Sequence, residues 1–221
     1  MRRIVHPEIL DTAKPSPEDV KDSLIDLQRI NRWFGGTSTT AKLIDTVLQR
    51  TGAKKLTLLD VASATGDIPQ TLQQRLGKRG VELSYTLLDR DAGHLDDDHG
   101  VPRVRGDALA LPFCDNSFDL VTCSLFAHHL EPEQLSVFAR EALRVSRIAL
   151  LINDLRRSYP HLIAVHAGKP LFRYITRHDS VASVWNSYTL DEMRAMLNHG
   201  VSREATVQTC YLFRMGAIVW K

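Results

Sequence analysis

From residue 56 onward the chain alternates between two hydrophobic rhythms. Apolar runs form LTLLDV (56–61), SYTLLD (84–89), VPRVR (101–105), FDLVTCS (118–124) and RIALLIN (147–153). Several are apolar without alternation, the pattern of parallel strands covered on both faces. Between them, apolar residues recur at helical spacing. Ile68, Leu72 and Leu76 do so over 67–77, and Leu135, Phe138, Ala139 and Ala142 over 132–145. Strands alternating with helices predict a parallel sheet wound in right-handed crossovers.

The two ends of the chain depart from this rhythm. Near the start, Ser16 suits an N-cap and Pro17 the first helical position. Val20, Leu24, Leu27, Ile30 or Asn31, and Phe34 then trace one face, and Gly35-Gly36 close the helix. A second helix from about Thr39 to Arg50 turns Leu43, Ile44, Val47 and Leu48 inward and stops at Gly52. Near the other end, Thr189 and Glu192 make a capping box for a helix that Gly200 ends. Runs at about 203–210 and 212–220 follow, joined by a link too short for a parallel crossover, so they pair antiparallel. The expected architecture is α/β: a doubly wound, Rossmann-like sheet of seven strands, mostly parallel with an antiparallel C-terminal strand. Residues 1–52 are expected to form an N-terminal helical cap on a main domain spanning 53–221. The stretch 155–185, with a helix-like run from Leu162 to Tyr174, is long for a connection and reads as an insertion that joins this cap.

Composition narrows the class. A chain of 221 residues with 43% hydrophobic and 24% charged content fits one globular domain with a real core. The net charge of +2 is scattered, and the pairs Arg2-Arg3 and Arg156-Arg157 are too short for a nucleic-acid face. Cys114, Cys123 and Cys210 have no C-x-x-C neighbour, which excludes a disulfide framework and a zinc ribbon. No leader and no run of about 18 apolar residues is visible, so a cytoplasmic protein without a membrane span is expected. Asp96, Asp97 and Asp98, with His94 and His99, read as a solvated surface, and no metal is expected.

The stretch that carries chemistry is LLDVASATGDIP, residues 58–69. An apolar run ends in Asp60, a loop of small residues follows, and a helix begins at Asp67. In a dinucleotide fold the middle glycine of such a loop lets the backbone meet a pyrophosphate at the helix N-terminus. Here Ala62 and Ala64 stand where glycine is usual, and their Cβ atoms would push phosphates away. A small zwitterion fits better, with Asp67 for an ammonium, nearby amides for a carboxylate, and polar groups at Ser63 and Thr65. Asp89 ends the second run, where an acid accepts both hydroxyls of a ribose. Asp107, in GDALALPF after the third run, is placed for an adenine amino group. Three acids in succession describe an amino acid, a ribose and an adenine.

LLDVASATGD, LLDRD, GDALALPF and SFDLVTCSLFAHHL resemble, in order and spacing, the successive motifs of class I S-adenosylmethionine-dependent methyltransferases. The likeness covers roughly residues 56 to 221 and is nearest to the small-molecule group with the ubiquinone, menaquinone and polyketide-tailoring methyltransferases. The family form of the first motif is D-x-G-x-G-x-G, from which Ala62 and Ala64 depart while Gly66 remains. The resemblance implies that Asp60, Ala62 and Gly66 line the methionine end of S-adenosyl-L-methionine, with Asp67 and Ser63 beside them. It also implies Asp89 and Arg90 at the ribose, Asp107 and Ala108 at the adenine, and Ser124 near the methionine.

His128 and His129 follow the fourth strand, at the edge where an acceptor would sit. Either is a candidate general base for a phenol or enol, and packing or helix capping is the bland alternative. Trp33, Phe34, Phe126, Phe172 and Trp185 are candidate pocket walls, with plain core as the alternative. Asn153, Asp154, His178 and Asp179 lie on the far side. SLFAHHL lacks the [D/N/S]-P-P-[F/Y] stretch of enzymes that methylate exocyclic amines or glutamine amides. The expected acceptor is therefore a small hydrophobic molecule, methylated on oxygen, such as a phenol, enol or carboxylate of a secondary metabolite. C-methylation of a quinone or polyketide is the neighbouring alternative. A catalytically silent cofactor-binding protein and an NAD(P)-dependent oxidoreductase are the rival classes. A small-molecule acceptor is the expected partner, and a homodimer stays open.

Overall fold

Three helices begin with a hydroxyl accepting from the amide three residues on. Ser16 accepts from the Asp19 amide at 3.1 Å, Ser158 from His161 at 3.3 Å and Thr189 from Glu192 at 3.3 Å. Glu192 answers by accepting from the Thr189 amide at 2.8 Å, so the expected capping box forms. The computed structural model describes residues 1–12, 15–91, 100–201 and 204–221. The acidic run with His94 and His99 lies outside them.

In chain order the elements are α1 (Ile9–Thr12), α2 (Pro17–Trp33), α3 (Gly36–Thr51), β1 (Lys55–Val61), α4 (Asp67–Gly77), β2 (Glu82–Asp89) and β3 (Arg103–Arg105). Then come β4 (Phe118–Ser124), a 3-10 turn at Ala127–His129, α5 (Pro132–Val145), β5 (Ser146–Leu155), α6 (Tyr159–Gly168), α7 (Tyr174–Asn186), α8 (Leu190–Gly200), β6 (Ala205–Thr209) and β7 (Arg214–Trp220). The seven strands form one sheet in the order β3-β2-β1-β4-β5-β7-β6. All neighbours from β3 to β5 pair parallel, while β7 is antiparallel to both β5 and β6. This is the architecture expected from the sequence, with one refinement. The antiparallel strand lies inside the sheet, and β6 forms the edge.

Consecutive apolar residues in a strand serve two cores. Leu59, Val61, Val121, Cys123, Leu150 and Ile152 face α5 and α8, where Leu135, Phe138, Ala139, Met193 and Leu197 are buried. Leu58, Leu87, Leu120, Leu151 and Ile218 face the opposite layer, meeting Leu43, Ile44 and Val47 of α3 and Ile68, Leu72 and Leu76 of α4. Two covered faces explain the unbroken apolar runs. Among the described residues, no helix is long and apolar enough to cross a membrane.

Local boundaries differ from expectation for physical reasons. Gly35 adopts φ +84° and turns the chain, but Gly36 already starts α3, so the glycine pair links two helices. The run from Leu162 to Tyr174 is broken: α6 ends at Gly168, a 3-10 turn covers Lys169–Leu171, and α7 starts at Tyr174. Pro170, which has no amide proton, sits at the start of that turn. His178 and Asp179, read as irregular, lie in α7. On α2 the apolar stripe is only partly buried, and the buried residues are Ser23, Asp26 and Asn31.

Phe138 is fully buried between the sheet and α8. Phe138→Ala should lower the unfolding free energy by ~3–5 kcal/mol in urea denaturation, since nothing nearby can refill an aromatic volume. A loss below ~1 kcal/mol would show that this layer is loosely packed.

Candidate active site

The sheet order reverses direction between β1 and β4, and the chain leaves those two strands to opposite sides. That divergence opens a crevice at their carboxyl ends, the usual ligand position in doubly wound folds. The loop after β1 fills it with an unusual backbone. Ala62 (φ +54°), Ala64 (φ +46°) and Gly66 (φ +69°) are all left-handed. Glycine adopts this region freely, whereas each alanine is strained by roughly 1–2 kcal/mol. The loop is held by three bonds: Ser63 N to Leu88 O at 3.2 Å, Gly66 N to Ser63 O at 2.9 Å, and Ala64 N to the Asp89 carboxylate at 3.0 Å. At Gly66 a Cβ would stand 2.6 Å from Leu87 Cδ1, so within this loop glycine is favoured here by its left-handed backbone and by the displacement of Leu87 that a side chain would force.

Asp60, the penultimate residue of β1, has only 4% of its surface exposed. The register sets Asp60 beside Thr122 of β4, whose hydroxyl donates to the carboxylate at 2.6 Å. Burial pushes the Asp60 carboxyl up to about 7, and the charges of Asp67 and Asp89 act in the same direction against the Thr122 bond. Asp60 and Asp67 line one small volume, with Asp89 close enough for its charge to act on Asp60, an arrangement that suits a cationic ligand. Asp60, Ala62, Ser63, Ala64, Asp67, Ser124 and Leu125 line a cavity there, closed on its far side by Leu27 and Asn31 of α2. Asn31 donates to both oxygens of Asp67 at 3.3 Å. The remaining volume is about 20 Å³, room for one water. The Ser63 hydroxyl is buried there without a hydrogen-bond partner, a donor left for a ligand.

The other expected cofactor residues follow the same edge. Asp89 is buried at the end of β2 and also accepts from the Asp91 amide at 3.0 Å. Arg90 points to solvent, and its carbonyl accepts from Arg105 at 3.2 Å. Asp107 is exposed and caps its own turn by accepting from Leu109 N at 2.9 Å, next to buried Ala108. Ser124, the last residue of β4, receives a bond from Asn153 at 3.3 Å.

Beyond the cavity lies a second polar cluster. His128 is 3% exposed, with Nδ1 at 2.7 Å from Asp154 Oδ1 and Nε2 at 3.5 Å from Glu8 Oε1. Burial opposes its charge, but the two carboxylates outweigh it and push His128 up to about 10. The pairing lowers both Asp154 and Glu8, against burial. Both carboxylates thus favour the charged, paired form of His128. His129 lies over His128 at 4.2 Å between ring centres, with Nε2 at 4.0 Å from Glu8 Oε2. The neighbouring Arg214 is buried within β7 and donates to Asn153 Oδ1 at 3.4 Å and Phe34 O at 3.2 Å.

The expected pocket walls divide. Phe126 packs edge-on against Phe138 at 5.4 Å, in the core. Trp33 (62% exposed) and Phe34 (43%) project outward, with Phe172 beside Phe34 at 6.3 Å. Asn153 is buried and donates to Gly36 O at 2.7 Å and Thr40 Oγ1 at 2.9 Å, tying α3 to the sheet. His178 is exposed and paired to Asp179 at 2.8 Å. Leu27, Thr122, Leu125, Glu8 and Arg214 escaped the sequence reading. Of these only Arg214, a charge at the head of an apolar strand, left a visible signal.

This sheet, with its crevice at the reversal, is the fold of class I S-adenosylmethionine-dependent methyltransferases. Residues 59–148 match the family profile described as a methyltransferase domain. The chain is 36% identical over 101 residues to the ubiquinone/menaquinone biosynthesis C-methyltransferase UbiE of Stenotrophomonas maltophilia, covering 41% of this chain and 38% of that protein. It is 33% identical over 106 residues to the demethylmenaquinone methyltransferase of Staphylococcus saprophyticus, covering 46% and 45%. These matches span less than half the length of either relative. The crystal structure of the plantazolicin methyltransferase BpumL, bound to a substrate analog and S-adenosylhomocysteine, superposes with a TM-score of 0.70 at 12% identity, covering 95% of this chain and 91% of that one.

Two measurements test this geometry. Ala62→Gly and Ala64→Gly should each raise the unfolding free energy by up to ~1 kcal/mol in urea, the strain relieved exceeding the entropy added. A destabilised glycine variant would place the strain elsewhere. Second, ionised Asp60 is the form that pairs with a ligand ammonium, so affinity for S-adenosylhomocysteine should climb as pH rises through about 7. The same affinity at pH 6 and pH 8 by calorimetry would remove Asp60 from the contact.

Proposed function

We propose that this protein transfers the methyl group of S-adenosyl-L-methionine to a small hydrophobic acceptor carrying a phenol or enol hydroxyl. The observation that carries the reading is the crevice itself. Asp60, Asp67 and the unpartnered Ser63 hydroxyl converge there, with Asp89 ending the adjacent strand. These groups match the ammonium, carboxylate and ribose of the cofactor, which supplies an electrophilic methyl on a sulfonium. Ala62 and Ala64 fit this ligand because no diphosphate has to approach the loop.

The chain's own contribution is alignment, because methyl transfer is an in-line displacement. Asn31 and Leu27 on α2 close over the methionine end, and α2 shifts to admit the cofactor. The turn that follows Leu125 carries His128 and His129 to the acceptor side. Glu8 and Asp154 fix His128, and His129 is the member of the pair that meets the acceptor. Oxygen is the proposed methyl-accepting atom. An ionised phenol or enol is nucleophilic at oxygen and at the adjacent carbon, and the names of the UbiE and demethylmenaquinone relatives favour carbon as the second reading. Proton and carbon NMR of the product separates a methoxyl from a C-methyl.

Cofactor binding is tested by calorimetry. S-adenosylhomocysteine should bind and, at 100 times its dissociation constant, stabilise the fold by ~2.7 kcal/mol, whereas NAD should not. Asp89→Ala should weaken it at least ~10-fold, since a charge-assisted acceptor is lost. Near-normal affinity in that variant would refute the ribose assignment.

A further inference from the structure

The cluster beyond the cofactor crevice has a property that methyl transfer does not require. Glu8, His128 and His129 bring a carboxylate and two imidazole nitrogens within 4.8 Å of one another, the only such group among the described residues. Glu8 reaches the cluster from the N-terminal segment, and the histidines come from the turn after β4. We infer that Glu8, His128 Nε2 and His129 Nε2 form a binding site for a divalent first-row transition-metal ion.

The donor set suits such an ion. Two imidazoles and one carboxylate are ligands shared by catalytic zinc sites and by open-sided iron sites. Metal–ligand distances of ~2.0–2.2 Å at tetrahedral angles place neighbouring donors about 3.3–3.5 Å apart. His128 Nε2 and Glu8 Oε1 are already at 3.5 Å. His129 Nε2 stands 4.0 Å from the other carboxylate oxygen, Glu8 Oε2, and has to come within about 3.5 Å of the oxygen that takes the ion. His129 is partly exposed and free of any buried strand, so a rotamer adjustment supplies that movement.

The surroundings strengthen the assignment. Asp154 holds Nδ1 of His128 at 2.7 Å and also accepts from its backbone amide at 2.9 Å. A carboxylate on the far nitrogen of a histidine orients metal-binding imidazoles and raises their basicity. Glu8 is fixed as well: Ser183 donates to Oε1 at 2.8 Å and Asn186 at 3.3 Å. The segment that carries Glu8 is itself pinned. Ile9 and Leu10 amides donate to Asp179 at 2.8 and 3.1 Å, and the His6 amide donates to Asn186 at 2.7 Å. Binding sends the Nε2 proton of His128 to solvent and leaves the ion with three protein ligands. The fourth position is then open to water or to an acceptor oxygen, whose acidity the ion would raise.

The test uses tag-free full-length protein stripped with chelator. Titration with Zn2+ should show one equivalent bound, and Co2+ should develop the visible absorption of a tetrahedral site. Glu8→Gln and His129→Ala should each weaken Zn2+ at least ~10-fold. Asp154→Asn should weaken it ~10–100-fold, as loss of an orienting carboxylate does. His129→Ala serves as the decisive variant because its side chain is the least buried of the three, and its S-adenosylhomocysteine affinity and thermal unfolding should match the parent protein. Absence of stoichiometric binding, or Zn2+ affinity unchanged in both Glu8→Gln and His129→Ala, overturns the site. The inference does not rest on the methyl-transfer reading. Loss of S-adenosylhomocysteine binding sinks that reading and leaves the ion site standing.

Discussion

A carboxylate shut away from water at the end of β1 is the constraint around which this molecule is arranged. Asp60 is buried, close to two other acids, and has one hydrogen bond from Thr122. Burying a charge this way is unfavourable without a partner, and among the described residues no basic side chain pairs with it. The parallel register of β1 and β4 fixes the Thr122 contact, so the pairing of central strands and the electrostatics of the crevice are one design. Such a site is stable as an acid and becomes a cation receptor when ionised. That dual state is what a ligand with an ammonium group completes.

The loop beyond Asp60 shows how the same demand shapes backbone. Three left-handed residues in five turn the chain sharply between β1 and α4. The Ala64 amide donates to Asp89 of the neighbouring strand, so that acid braces the loop. At Gly66 a side chain would collide with Leu87, whereas Ala62 and Ala64 accept their strain. Strain held at a binding loop is tolerable only because both flanking elements are deeply packed.

Much of this was legible in the sequence. The apolar runs and helical periodicities gave all seven strands and α2, α3, α4, α5 and α8, because two covered faces leave no alternative for such residues. The successive acids were legible as strand-end residues: Asp60 is the penultimate residue of β1, Asp89 ends β2 and Asp107 follows two residues after β3. The His128 cluster was half visible. His128, His129 and Asp154 could be noticed, but nothing local says that Asp154 sits under His128, or that Glu8 arrives from the other end of the chain. Long-range polar pairing has no period to betray it. The cap was the least legible part. Asp26 is fully buried, accepting from the Arg173 amide at 2.9 Å, in a helix whose apolar stripe pointed to a different face. Polar side chains that anchor one helix to another look like ordinary surface in a sequence.

The same polar anchoring separates two layers of different character. Below the carboxyl edge, two apolar cores hold the sheet rigid, and their energy depends on volume. Above it, α2, the N-terminal segment and α7 are joined by directed bonds: Asn31 to Asp67, Asp26 to Arg173, Glu8 to Ser183, Asp179 to Ile9 and Arg3 to the carbonyl of Asn186 at 2.7 Å. Hydrogen bonds exchange readily with water at little net free energy, so a cap built from them opens at lower cost than one built from leucines. Asp60 and Asp89 sit on the strands of the apolar layer, while Leu27 and Asn31, which close the cavity, belong to the polar one.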